Sequence, residues 1–266
     1  MQRGIWTVAL VLALAGLAYA GSQQDVFDPS ETSVPNAAPL TSFEWPAPDA
    51  VLYDNGPLIT HVGAGVGGAD VSALQVSLGM NTLGAGQQYS LGYSMADDFT
   101  VTDAAGWQID DITFFAYQSN SPTTSTITGV YVQIWNGDPS SGGSVIWGDL
   151  MTNRLLTTGW SNIYRATDTN YTTTSNRPIM ENVATIGTTL AQGTYWLQVS
   201  TDGSASYSGP WAPPITILGQ TTTGNALQYT TAWGAWTDSG TLTPQGLPFV
   251  INGSVVPVEL QSFSIE

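Results

Sequence analysis

The side chains best suited to chemistry in this chain are aromatic rings set beside amides. Residues 126–136 read TITGVYVQIWN, and residues 194–200 read TYWLQVS. An extended chain sends successive side chains to opposite faces. On that period Val130, Val132 and Ile134 share one face, and Tyr131, Gln133 and Trp135 share the other. In the second string Tyr195, Leu197 and Val199 share a face, while Thr194, Trp196 and Gln198 share its opposite. The aliphatic sets belong in a core. The second faces place rings next to glutamines, a mixture suited to sugar recognition, where rings stack on pyranose faces and amides bond to hydroxyls. The same mixture suits a small second core covered by the long 21–92 segment, since monomers rarely expose large apolar patches. Trp233-x-x-Trp236, in a turn-rich stretch, adds two rings that serve either as core plugs or as glycan contacts.

Other groups have weaker chemistry. Asp54, Asn55 and Asp70 are hard-oxygen candidates for a structural calcium ion, although the EF-hand spacing is absent and solvated loop acids are the competing reading. Asp97-Asp98 and Asp110-Asp111 are adjacent pairs, so on strands their members point apart and neither pair forms an acid/base couple by itself. Two acids from different loops could still support glycan hydrolysis. Gly92-Tyr93-Ser94-Met95-Ala96 only partly matches a nucleophile elbow, and a triad built on Ser94 would have to use His61, the one histidine. Gly63-x-Gly65-x-x-Gly68 lacks the βαβ context that would make it a dinucleotide fingerprint and reads as a flexible glycine loop. No catalytic residue is expected, and no cofactor beyond calcium. Arg154, Arg165 and Arg177 are expected to fix loops by pairing with carboxylates, with an anion clamp as the sharper alternative.

The elements that must position these groups are strands. Charged residues make up only 9% of the 266 residues, against about 25% in an ordinary domain. The wet surface therefore comes from Thr, Ser, Asn, Gln and Gly, which suit strands and turns better than helices. Twenty acidic residues face four arginines, for a net charge of −16. So few cations cannot neutralise a run of phosphates, so nucleic-acid binding is excluded, and an anionic membrane surface is disfavoured likewise. With no cysteine there is no disulfide framework and no thiolate metal site.

Residues 1–20 read as a signal peptide: Arg3, an apolar run from Ile5 to Leu17, then Ala18-Tyr19-Ala20 before Gly21. The mature protein is expected to be secreted and to lack a membrane span. Residues 21–50 carry five prolines and read as a linker or strap. Residues 51–254 read as one β-sandwich domain, and 255–266 as a tail. Short strands are expected at 51–54, 96–101, 107–117, 126–136, 144–148, 162–166, 179–186, 194–200, 214–218, 225–230 and 248–254, with one short helix over Asp70–Leu78 capped by Asp70. Many strands, regular turns and few helices predict an all-β, antiparallel two-sheet sandwich of jelly-roll type.

Several strings, among them Tyr53-Asp54-Asn55-Gly56, Ala96-Asp97-Asp98-Phe99-Thr100-Val101, Gln133-Ile134-Trp135-Asn136-Gly137 and Gly193-Thr194-Tyr195-Trp196-Leu197, resemble those of uncharacterised secreted bacterial β-sandwich proteins. The segment Val256-Pro257-Val258-Glu259-Leu260-Gln261-Ser262-Phe263 is similar to the stretch before their C-terminal sorting tails. The resemblance implies export and a sandwich, and no established activity. The expected function is a non-catalytic extracellular module for adhesion or surface assembly, meeting an extracellular polysaccharide or a surface protein. A carbohydrate-binding module and a glycan hydrolase or lyase are the alternatives.

Overall fold

A computed structural model describes residues 50–257. The expected signal peptide and nearly all of the strap and tail lie outside the described residues. The strands in chain order are β1 (Ala50–Asp54), β2 (Asp70–Leu74), β3 (Ala85–Gly86), β4 (Ser94–Val101), β5 (Trp107–Ser119), β6 (Ile127–Trp135) and β7 (Val145–Asp149). They continue with β8 (Leu155–Thr167), β9 (Pro178–Leu190), β10 (Gly193–Gly203), β11 (Ser208–Ala212), β12 (Leu227–Tyr229), β13 (Trp233–Ala235) and β14 (Phe249–Val255). Helical structure among the described residues is confined to three single 3-10 turns, and no helix is long and apolar enough to cross a membrane.

The strands form two sheets packed face to face, the all-β sandwich that the composition predicts. The larger has eight strands, in the order β1-β14-β5-β9-β8-β2 with β11 added beside β5 and β3 beside β11; the smaller runs β13-β12-β4-β10-β6-β7. The chain passes between sheets from β4 to β5 and back to β6, and again from β7 to β8 and from β9 to β10. Each pass lets the chain contribute to both walls of one core. Alternation fills that core: Met95, Phe99 and Val101 of β4, Val130, Val132 and Ile134 of β6, and Leu197 and Val199 of β10 face Ile109, Ile112 and Phe114 of β5 and Phe249 and Ile251 of β14. Burial on this scale is the main stabilising term of the fold.

Three local expectations are corrected. Asp70–Leu74 is not helical but the strand β2, which pairs in parallel with β8, the one parallel pairing of named strands among the described residues. Val71 through Leu74 are all buried, as befits a strand covered on both faces, and such a run is locally ambiguous between helix and strand. Asp70 accepts from the Gly63 N–H at 2.7 Å instead of capping a helix. Residues 214–218 are irregular, with Pro214, Ile215 and Thr216 buried and Leu218 exposed, because Pro213 and Pro214 bring no N–H to a ladder. Their hydrogen bonds run to loops instead, from Ile215 N to Gly246 O and from Thr216 N to Pro57 O. The strand of that region is β11, just before the prolines.

Candidate functional site

The outer face of the smaller sheet carries the ring-and-amide residues. Register fixes their neighbours: Trp196 lies opposite Trp135 on β6 and Asp98 on β4, and Gln198 opposite Gln133 on β6 and Ala96 on β4. On the far side Tyr229 lies opposite Ser94, and the short β12–β13 hairpin sets Trp233 opposite Tyr229. Three strands separate Trp135 from Trp233, yet their ring centroids are 6.5 Å apart and perpendicular. The short side chains of Ser94 and Ala96 between them leave room for the long ones to lean together. Tyr229 completes the cluster, 5.3 Å from Trp233 in an edge-on contact.

An open cleft of about 310 Å³ lies among Gln133, Trp135, Gln198, Tyr229 and Trp233, with Gly92 and Leu150 at its rim. Gly92 ends the 3-10 turn Tyr89–Leu91 at φ +71°, a left-handed conformation that glycine adopts without strain. No lining residue is charged. The two glutamines differ in commitment. Gln198 is buried; its Oε1 accepts from Trp135 Nε1 at 2.9 Å, and its Nε2 donates to Ser94 Oγ at 2.8 Å. Both ends are spent on orienting Trp135 and tying β10 to β4. The half-buried Gln133 makes no side-chain hydrogen bond to any described residue, so its amide is available to the cleft.

Of the seven ring and amide candidates, the structure therefore brings four to the cleft: Gln133, Trp135, Gln198 and Trp233. Trp196 is 9% exposed and packs beneath it with Ala96 and Leu227. Tyr131 is drawn aside into a face-to-face stack with Tyr89, centroids 3.7 Å apart. Trp236 is corrected to a core residue, 4% exposed and packed between the sheets. Three positions separate it from Trp233, and an odd step along extended chain reverses the face. The ring-and-amide face is packed around Trp196 and open at the cleft beside it. Tyr229 also lines the cleft, a residue that the alternation of β6 and β10 does not point to. Its signal lay in Leu227-x-Tyr229, one outward face followed by a tight turn to Trp233.

The calcium candidates do not come together. Asp54 and Asn55 belong to the β1 edge of the larger sheet and Asp70 to β2 at its other edge, with four strands between. Asn55 is engaged elsewhere: its Nδ2 donates to Asp97 Oδ2 at 3.0 Å and to Leu247 O at 2.8 Å, and its Oδ1 accepts from the Tyr53 hydroxyl. Among the described residues no three acidic or histidine side chains gather as a metal ion would require. Ser94 and His61 are likewise apart. The Ser94 hydroxyl faces Gln198, whereas His61 sits beside β2 and stacks on Tyr171, centroids 4.5 Å apart.

Asp97 is the acid turned into the core, 2% exposed, while its neighbour Asp98 points outward to Asn225. Desolvation pushes its pKa up to about 7, held from rising further by the N–H groups of Leu247 and Asp98 and by the Asn55 amide. The YDNG and ADDF strings thus meet through one hydrogen bond between the two sheets. No family model, curated protein or solved structure matches the chain.

Proposed function

We propose that the protein is a non-catalytic carbohydrate-binding module whose ligand is a neutral glycan held in the Trp135–Trp233 cleft. The carrying observation is that perpendicular indole rings and Tyr229 frame the uncommitted Gln133 amide in an open, uncharged cleft. A sugar presents apolar C–H faces and a rim of hydroxyls, and this surface offers ring faces and an amide that donates and accepts. Gln198 serves as a positioning residue, holding the Trp135 ring by its Nε1. Capture of a glycan is one physical means to the adhesion expected from the sequence, and it fits an exported protein.

The test is a titration of the intact chain with a panel of neutral polysaccharides, followed by tryptophan fluorescence. Binding should be saturable, and Trp135→Ala or Trp233→Ala should weaken it about tenfold or more while the far-UV spectrum is retained. Failure of every neutral glycan to bind, or binding indifferent to both substitutions, would overturn the proposal.

A further inference from the structure

Three cations occur among the described residues, Arg154, Arg165 and Arg177. Arg154 is paired: its Nη2 lies 3.4 Å from Asp149 Oδ2, and its guanidinium sits 4.3 Å over the Trp147 ring. The other two touch no carboxylate of the described residues. In a chain with 20 acids that is a selective arrangement. Arg177 lines a cavity of about 360 Å³ on the larger sheet, away from the Trp135 cleft, walled also by Thr82, Leu83, Tyr117, Ser119 and Trp211 among others, and Arg165 bonds to the Leu83 and Thr82 carbonyls of that wall.

Arg165 lies behind the wall. It is 1% exposed, and its guanidinium donates only to neutral oxygens: Nε to Leu83 O at 2.7 Å, Nη1 to Ser72 Oγ and Thr216 Oγ1, and Nη2 to Thr82 O. A buried cation without a contacting anion is costly, and in a poorly screened interior its field reaches further than in water. The carboxylate that acts on it, Asp238, is itself taken up by the backbone N–H groups of Asn81, Thr82, Gly240 and Thr241.

Arg177 is on the wall and half-buried; its Nη1 donates to Asn176 Oδ1 at 3.1 Å. Beside it the Tyr117 hydroxyl makes no hydrogen bond to a described residue, and both guanidinium groups act on it electrostatically. The backbone approaches that hydroxyl so closely that a Cβ on Gly84 would stand 2.7 Å from it. The Ser119 hydroxyl is also unengaged among the described residues, and the half-buried Trp211 ring forms an adjoining wall.

We propose that this cavity binds a sugar bearing a carboxylate, a uronic acid residue. Its carboxylate pairs with the Arg177 guanidinium and accepts from the Tyr117 hydroxyl, its ring lies toward Trp211, and the charge of Arg165 supports the anion from behind. One accessible guanidinium with no lysine offers a single planar fork, which matches the two oxygens of a carboxylate. This site is independent of the neutral-glycan cleft, and either stands without the other.

The experiment is an NMR and calorimetric titration of the intact chain with methyl β-D-glucuronoside and with methyl β-D-glucoside, which differ only in the carboxylate. The glucuronoside should bind about tenfold or more tightly than the glucoside, and added salt should weaken it. Arg177→Gln should remove the preference. Ser119→Trp, which fills the cavity and leaves the charge in place, should abolish binding, whereas Trp135→Ala should leave it unchanged. Thermal melts confirm that each variant folds. Equal affinity for the two glycosides, no glucuronoside binding, or affinity unchanged by Arg177→Gln overturns the proposal.

Discussion

Asp97 shows how a single residue sets a pH response. Its carboxyl is raised to about 7 by burial, while in the unfolded chain it titrates near 3.8. Between those values the native state holds a proton that the unfolded state has lost. Stability contributed by Asp97 is therefore present below about pH 4 and falls as pH rises toward 7, by up to about 1.4 kcal/mol per pH unit. Asp238 acts in the opposite sense: desolvation works to raise its pKa, but four backbone N–H groups outweigh it and lower the pKa. Its contribution is present above the unfolded pKa and is lost as pH falls through the lower native value. We expect Asp97→Asn to flatten the pH dependence of Tm between pH 4 and 7. The variant should also lose about 1–3 kcal/mol at acid pH, since an amide cannot accept from Leu247, Asp98 and Asn55 together. A wild-type Tm that climbs across that interval would contradict the assignment.

Among the elements, β10 and the β12–β13 hairpin hold the cleft with unequal firmness. Central β10 is paired on both sides and buries Leu197 and Val199 fully. Leu197→Ala should cost about 2–5 kcal/mol in denaturant unfolding, the range of a large-to-small change in a packed core. By contrast β13 has three residues and forms the edge of its sheet, so it opens with less cost. Amide exchange of Trp233–Ala235 should be much faster than that of Leu197 and Val199, and a bound glycan should slow it selectively. Exchange at β13 as slow as at β10 would mean that the cleft has two rigid walls. The expected helix at Asp70–Leu78 belongs to the same scale. DVSALQVSL satisfies several short patterns, and its pairing beside β8, about ninety residues away in sequence, decides between them.

At the scale of the molecule, 20 acids against four arginines make self-repulsion a general destabilising term, screened by salt and relieved as acids protonate. Added to the Asp97 effect, this predicts maximal stability near pH 4–5, with Tm rising on addition of about 0.5 M sodium chloride at pH 8. A Tm lowered by salt at pH 8 would contradict it. The same charge poverty makes Arg165 and Arg177 notable, since neither contacts a carboxylate of the described residues and both act on Tyr117.

The sandwich itself is legible in the sequence. Period-two alternation, turn residues at regular spacing and the lack of charged helix faces are local properties, and they predicted the class, most strands and the inward sets of β6 and β10. Alternation also placed Tyr131, Gln133, Trp135, Trp196 and Gln198 on outer faces. It could not say which strands are neighbours. Register across β10, β6, β4 and β12 set Gln198 between Trp135 and Ser94 and made it structural, while the same register left Gln133 open. The separation of Asp54 and Asn55 from Asp70, the burial of Trp236 and the gathering of two arginines at Tyr117 are likewise products of strand order. Face is written in the covalent spacing of one chain segment; partnership depends on segments brought together from a hundred residues away, and only the folded packing of both sheets selects it.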